Sequence, residues 1–577
     1  MSRMAGGDIV VRALEDEGVP FAFGIPGTHN IELYDALARS RSVRPILVTD
    51  EQSASFMADG VARSSGKLGC VNVVPGAGLT HAISGIAEAF LDGIPMLVLG
   101  CGVRSDSGMA YQLHDVDQTA MVGPVTKAQL KPAGGEETYA TIRRACALAR
   151  QAPPGPVFVE IPADQYLFRH EYERGEWDLA NGDGEVPGES VLSNVRSKLA
   201  AAKRPLLYLG LGAAPARPRL VELAERLEAP VATTIQGKGV FPEHHPLWLW
   251  CGFGRAAPPF VRQIAAGCDA TLAIGCRFSE VGTGSYGLAP PRPLIHVDVD
   301  EAVLGRNFAT DLPVQSDSAT FVPALLDNLA GRRPDPALRE AIRTGHSDLP
   351  RSRSSRGDGD GVTPEALLPA IQQTYGRDAI YTADSGNGMF MAMEWLRLDR
   401  PRSFLAPVDY SCMGYAVPAA LGAALACPDR PVVALAGDGA FLMTGLELLT
   451  ASNLDLPVTV FVLRDGELAQ IAQFQHTALA SKTASQLPGF DLSMICRGLG
   501  VEYLKLTHDA QIASTLTRAH RIQAGGRPVL VEVEIDYSQP TFFTRGVVLT
   551  NLGRLPWPDR LRFVARAVGR RLPGRGV

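Results

Sequence analysis

Val432-Val-Ala-Leu-Ala-Gly-Asp-Gly-Ala-Phe441 is the stretch on which the fold turns. Five apolar residues run without interruption into Gly437-Asp438-Gly439, and an apolar pattern of helical period follows from Leu442 to Asn453. A short, continuous apolar run of this kind reads as a strand covered on both faces, the signature of a parallel sheet flanked by helices. The two glycines let the backbone turn tightly and present its N–H groups at a helix N-terminus, where a phosphate is favoured. Asp438, placed between them, would repel a phosphate unless a cation stood in between, so it predicts a divalent metal bridging to a diphosphate. Taken alone, such a tripeptide is more often a plain turn. The next apolar run, Thr459 to Leu463, ends on Arg464-Asp465-Gly466-Glu467, which sets a second carboxylate 27 residues after the first. Consecutive strands of a doubly wound sheet end side by side on its carboxyl edge, so Asp438 and Asp465 can reach one ion.

The same alternation fills the chain. Apolar or β-branched runs at Arg44 to Val48, Gly69 to Val74, Met96 to Leu99, Val157 to Glu160, Pro205 to Leu209, Thr271 to Ile274, Leu294 to Val299, Ala379 to Thr382 and Val529 to Val533 are separated by helical patterns. That order gives an α/β class with doubly wound parallel sheets. Two polar stretches interrupt it: Glu171 to Ser190, rich in Gly, Glu and Asp, and Pro350 to Gly361, rich in Gly, Ser and Arg. Read as linkers, they divide the 577 residues into three domains, 1–170, 190–345 and 362–577. The basic end, Arg566 to Val577, reads as a solvated, frayed tail.

Composition narrows the function. A net charge of −6 offers nothing to nucleic acid or an anionic membrane, so a small molecule is the expected partner. No apolar run is long enough for a bilayer, and Met1 to Gly7 lacks the layout of a secretory signal, which points to the cytoplasm. Nine scattered cysteines without C-x-x-C or zinc spacing imply reduced thiols rather than a disulfide framework or structural zinc.

The run from Gly437 to Asp465 resembles the thiamine-diphosphate-binding motif, which begins Gly-Asp-Gly and closes on Asn or Asp at this spacing. The resemblance implies Mg²⁺ held by Asp438, the side chain of Asp465 and the carbonyl of Glu467, with Gly437, Gly439 and Ala440 against the diphosphate. Most relatives carry Asn-Asn where this chain has Arg464-Asp465. Asp384-Ser-Gly-Asn-Gly388 is similar to the second diphosphate loop of the family and implies Gly386, Asn387 and Gly388 near the phosphates. In Tyr410-Ser-Cys-Met-Gly-Tyr-Ala-Val-Pro-Ala-Ala420, Met413 falls where the family places an apolar wedge between the cofactor rings, with Cys412 beside it; ordinary core filling is the competing reading of Met413.

Asp50-Glu-Gln-Ser-Ala-Ser-Phe-Met-Ala-Asp-Gly-Val-Ala-Arg-Ser-Ser-Gly66 resembles the segment that opens His-Glu-Gln in acetolactate synthases. Glu51 is then the catalytic carboxyl facing N1′ of the pyrimidine, raised by an apolar setting so that it shares a proton at neutral pH; by itself it would simply be a first-turn residue on a helix dipole. Gly24-Ile-Pro-Gly-Thr-His-Asn30 and Pro75-Gly-Ala-Gly-Leu-Thr-His81 resemble further cofactor loops, implying Pro26, Gly27 and Gly76 at the cofactor and Thr28 and His29 at the substrate. In the second loop Ala77, Leu79 and His81 depart from Gly-Pro-Gly-Ala-Thr-Asn. Tyr111-Gln-Leu-His-Asp-Val-Asp117 resembles a substrate-facing segment, with Gln112 and Leu113 as pocket residues and His114 as a proton donor or a structural histidine. Gln470 and Phe474 stand where acetolactate synthases carry apolar Met and Trp, so the substrate need not be two pyruvates.

Thr234 to Leu247, Gly275 to Gly282 and His296 to Asp300 resemble the family's central domain, and the likeness then spans a pyrimidine-binding, a central and a diphosphate-binding domain. FAD in the central domain stays open, with an empty structural domain as the alternative. The resemblance implies 2-oxo acid decarboxylation followed by addition to a carbonyl acceptor, as in acetolactate synthase, in a cytoplasmic homodimer or homotetramer with sites at the subunit interface. Non-ligating decarboxylation, C–C cleavage of a diketone by a lyase or hydrolase, and a catalytically silent scaffold are the alternatives.

Overall fold

The computed structural model describes residues 2–175, 186–353 and 361–570. Within the polar stretches read as linkers, 176–185 and 354–360 lie outside the described residues, as does 571–577 of the basic end. The first stretch is shorter than its composition predicts, because strand Arg169–Tyr172 enters it and pairs antiparallel with Ser2–Ala5. Arg566 to Gly569 likewise belong to a helix, Trp557–Gly569, and not to a tail.

Three six-stranded parallel sheets follow one another along the chain. The first runs Arg44–Leu47, Phe21–Gly24, Gly69–Val73, Met96–Gly102, Pro156–Pro162, Ala128–Leu130. The last runs Phe404–Leu405, Ile380–Ala383, Val432–Gly437, Val458–Arg464, Val529–Glu534, Glu502–Leu506. Counted in chain order, both follow the sequence two, one, three, four, six, five. The middle sheet differs. It runs Trp248–Cys251, Val231–Thr233, Pro205–Leu209, Ala270–Ile274, Leu294–Asp298, Leu312–Gln315, the three-two-one-four-five-six order of dinucleotide folds.

The last sheet is covered on both faces, and its pleat sorts the residues. Val432, Ala434, Ala436, Val458, Val460 and Val462 join a core shared with Phe56, Met57 and Val61 of the first part of the chain. Val433, Leu435, Phe461 and Leu463 point the other way, into a core shared with the middle part. Continuous apolar strands are therefore required here, and each fully buried Val or Leu is worth about 1.5–3 kcal/mol.

Helix Glu51–Ser65 is defined at both ends: the Asp50 carboxylate accepts from the Gln52 N–H at 2.7 Å, and Gly66 closes it with φ of +76°. It packs against helix Ala416–Ala426 through two glycines. A Cβ on Gly60 would lie 2.3 Å from the Ala419 carbonyl oxygen, and one on Gly422 would lie 2.1 Å from that of Met57. Pairing Gly60 with Ala419 and Met57 with Gly422 makes the two helices antiparallel. Arg63, buried beside them, binds Asp59 at 2.6 Å and Asp92 at 2.7 Å, and Tyr415 Oη donates to Asp59 at 2.5 Å.

Candidate active site

In the last sheet, Ile380–Ala383 and Val432–Gly437 are the neighbouring strands from which the connections depart in opposite directions, the point where open α/β sheets take ligands. Both strands end in the loops singled out above. Helix Asn387–Trp395 starts beyond the first and helix Asp438–Thr444 beyond the second, so two helix N-termini open on one crevice. Gly386 needs its glycine, with φ of +107°, and around Gly437 and Gly466 there is open space where a Cβ would project. Asn387 is buried, yet its Nδ2 has no hydrogen-bond partner. A buried donor without an acceptor costs about 1–3 kcal/mol, and a diphosphate oxygen in this crevice would satisfy it.

Gly437 pairs with Leu463 across the sheet, which brings Asp438 and Asp465 to adjacent strand ends. Asp438 is buried, with Oδ1 accepting from Gly439 N–H and Oδ2 from Gly466 N–H, both at 2.9 Å. Asp465 opens to the surface, yet surrounding protein and then the Asp438 charge push its carboxyl up to about 7. Burial also raises Asp438. Two carboxylates whose charges oppose each other could both be neutralised by a hard cation. The Glu467 carboxylate is taken by Lys482 at 2.6 Å, which leaves its backbone carbonyl as the oxygen Glu467 can offer a metal.

Asp384, whose role the motif alone did not disclose, anchors the loop that follows. Its buried carboxyl accepts from Ser385 N–H at 3.0 Å and from Gly414 and Ala416 N–H at 2.9 Å, and burial pushes it up to about 7. Met413 is thereby held half-buried with its methyl 3.5 Å from the position of a Cβ on Gly439. Cys412 turns away: its N–H donates to Glu88 at 3.0 Å and its thiol meets the Ser84 carbonyl at 3.3 Å. Ala440 is buried behind the turn, and Gly388 sits against Leu463. The Gln470 side chain reaches within 3.6 Å of a Cβ on Gly386, while Phe474 lies half-buried further along helix Ala469–Leu479.

The first sheet assembles its own cluster at the corresponding edge. Glu51 is 7% exposed, and burial raises its carboxyl above the usual range. One oxygen lies 2.9 Å from a Cβ position on Gly78, so only glycine leaves it room. The 111–118 loop folds onto Gly76, whose N–H donates to Gln118 at 3.3 Å. His29 and His114 stand with ring centroids 5.4 Å apart, Thr28 Oγ1 meets His29 Nδ1 at 3.2 Å, and His114 Nδ1 is buried without a partner. Burial and then His114 lower the His29 imidazole. The Gly27 N–H donates to Asn30, Pro26 and Leu113 are exposed, and Gln112 is held by the Arg104 carbonyl at 2.9 Å.

These two clusters do not meet within the chain. Because helices Glu51–Ser65 and Ala416–Ala426 are antiparallel, Glu51 lies at one end of the pair and Met413 at the other, about 22 Å apart along the axis at 1.5 Å per residue.

Both clusters lie in segments that match known proteins. Residues 4–121 match the N-terminal TPP binding domain of thiamine pyrophosphate enzymes, 192–325 their central domain and 384–533 their C-terminal TPP binding domain. The chain belongs to the thiamine pyrophosphate enzyme family. Within that family it is 30% identical over 552 residues to a probable acetolactate synthase large subunit of Methanocaldococcus jannaschii, covering 92% of each chain. It is also 30% identical to the large subunit of acetolactate synthase isozyme 1 of Escherichia coli, covering 94% of this chain and 95% of the other. A probable 2-ketoarginine decarboxylase of Pseudomonas aeruginosa is 34% identical over 483 residues, covering 81% and 83%. No helix among the described residues of this thiamine pyrophosphate enzyme is long and apolar enough to cross a membrane.

The central sheet carries the strand order of a dinucleotide fold but not an open crevice. Gly212 N–H donates to the Gly275 carbonyl at 3.1 Å, and a Cβ on Gly275 would lie 2.3 Å from the Gly212 backbone. Behind this closure the buried Phe278 ring packs on Tyr208, His296 and Phe308 at 5.1–5.4 Å.

Proposed function

We propose that the enzyme decarboxylates a 2-oxo acid and joins the acyl fragment to a second carbonyl compound, in the manner of an acetolactate synthase. The observation that carries this reading is the pairing of half-sites: a buried carboxyl, raised by its burial, on one sheet edge, and a paired-carboxylate, glycine-lined anion crevice on the other. When bound, thiamine diphosphate supplies a nucleophilic carbon and an electron sink for the carbonyl chemistry. Asp438, Asp465 and the Glu467 carbonyl would hold Mg²⁺, and Asn387 with the glycines at 386, 388, 437 and 439 would take the diphosphate. Met413 would shape the cofactor, and Glu51 would hold the proton at N1′. Thr28, His29, Gln112, Leu113, Gln470 and Phe474 would bound the substrate, excluding water from the reacting carbon. No part of this reading uses FAD, and a cytoplasmic setting with reduced thiols suits its nine free cysteines.

A homodimer, or a pair of dimers, is part of the proposal. One chain holds its half-sites too far apart for one cofactor, and apolar residues stand exposed beside each: Leu47 near Glu51, and Leu442, Met443, Leu446 and Leu449 beyond Asp438. Glu51 of one copy would then face the metal crevice of another. Mixing Glu51→Gln with Asp438→Ala protein tests it: activity regained by subunit exchange supports shared sites, and none regained sinks them.

Decarboxylation without ligation is the second reading, favoured by the His29–His114 pair as a proton donor to the acyl fragment. Product analysis from pyruvate with added thiamine diphosphate and Mg²⁺ separates the two. Acetolactate supports the synthase reading, acetaldehyde alone the decarboxylase, and cofactor bound without turnover directs attention to a bulkier 2-oxo acid.

A further inference from the structure

Two ionisable groups beside Glu51 are unused in the reading above. Asp50 spends Oδ1 on capping its helix and turns Oδ2 to His81 Nδ1 at 3.1 Å. The same ring nitrogen lies 3.7 Å from Glu51 Oε2, and one ligating atom from each of the three residues falls within 4.8 Å of the others. His81 projects from helix Ala77–Asp92, one turn beyond Gly78, which crowds the other Glu51 oxygen. The imidazole and Gly78 thus approach different oxygens of the Glu51 carboxyl. The sequence pattern puts a His before the glutamate and an Asn in the glycine loop; here Asp50 precedes the glutamate and His81 occupies the loop. The imidazole has changed sides, and an added carboxylate has come with it.

We propose that His81, held by Asp50, is a positioning residue that fixes the orientation and proton affinity of the Glu51 carboxyl. Asp50 alone would hold negative charge against a buried acid and drive it further toward the neutral form. The His81 imidazole, 3.1 Å from Asp50 Oδ2 and 3.7 Å from Glu51 Oε2, stands between the two carboxylates and, when it carries charge, offsets that repulsion. Burial raises Glu51, while His81 lowers it and Asp50 raises it. The other groups near it do not compete: the Tyr34 phenol is kept neutral by burial, and the Glu447 carboxylate is occupied by the Thr49 N–H and hydroxyl and by Thr450. The proposal rests on Glu51 as the proton partner of the cofactor.

The test follows the protonated-carboxyl infrared band of Glu51 against pH in the full-length, cofactor-free protein, with Glu51→Gln identifying the band. His81→Asn should raise the midpoint by about one pH unit, tenfold in proton affinity. Asp50→Asn should lower it, and the double variant should return toward wild type. With thiamine diphosphate and Mg²⁺ added, the pH profile of kcat should move in the same sense while KM stays. An unmoved midpoint in folded His81→Asn overturns the proposal, and should that variant fail to fold, an unmoved midpoint in Asp50→Asn overturns it instead. Full turnover by Glu51→Gln would remove the underlying reading of Glu51 while leaving the midpoint shifts intact, so the two failures are distinct.

Discussion

The first and last sheets have the same strand order and opposite chemistry at the same edge. The last sheet gathers Asp384, Asp438 and Asp465 among glycines and leaves Asn387 Nδ2 unpaired, an arrangement that takes up charge. The first gathers Glu51, His81, His29 and His114, a buried carboxyl among imidazoles. One topology thus provides two kinds of edge, and the residues just beyond the strand ends decide which. The middle sheet sharpens the contrast, since its nucleotide-type order ends in loops that pack on one another.

If the division is right, the two edges fail differently. Glu51→Gln should cost about 10²–10⁴ in kcat, the usual range for a positioned acid or base, while calorimetry shows thiamine diphosphate and Mg²⁺ still bound. Asp438→Ala should do the reverse. It should weaken cofactor binding by about a hundredfold or more, since even groups behind a metal ligand cost 10–100-fold. Equal loss of binding in both variants would break the division.

Much of this was legible in the sequence. Strands buried on both faces, such as Val432–Gly437 and Pro205–Leu209, announce themselves as apolar runs, and the glycine-carboxylate loops stand beside them. Several edge strands do not, although Arg44–Leu47 does. Ala128–Leu130, Leu312–Gln315 and Glu502–Leu506 are short or half-exposed and carry polar residues, so they escape a search for continuous apolar runs. The contact of His81 with Glu51 was illegible for another reason: thirty residues separate them, and the two helix starts meet only because Arg44–Leu47 and Gly69–Val73 flank the same strand, Phe21–Gly24. Asp384 was visible as part of a motif, but its hold on Gly414 and Ala416 needs the fold to be seen.

What joins the two edges is the glycine crossing of helices Glu51–Ser65 and Ala416–Ala426. Gly422→Ala should destabilise the protein by about 1–3 kcal/mol, because the new methyl meets the Met57 backbone, which cannot rotate aside as a side chain would. Urea unfolding measures it; an unchanged midpoint would mean that the halves adjust freely and that the separation of Glu51 from Met413 is not fixed by this contact.

The smallest effect expected belongs to Asp384, the acid that ties the Met413 loop to its strand. Burial raises its carboxyl from the ordinary 3.8 to about 7. Between those values the folded protein keeps a proton that the unfolded chain releases, so the stabilisation from this group is complete below about pH 4 and is lost as pH rises through 7. Asp384→Asn cannot titrate, and its stability should therefore change less across that window than wild type does, on top of a uniform loss from mismatching an amide N–H₂ against a backbone donor. Parallel curves for the two proteins would mean that the three backbone N–H groups hold Asp384 ionised throughout. The last sheet would then carry a fixed negative charge at its switch point even without a metal, and the contrast with the first sheet would be greater still.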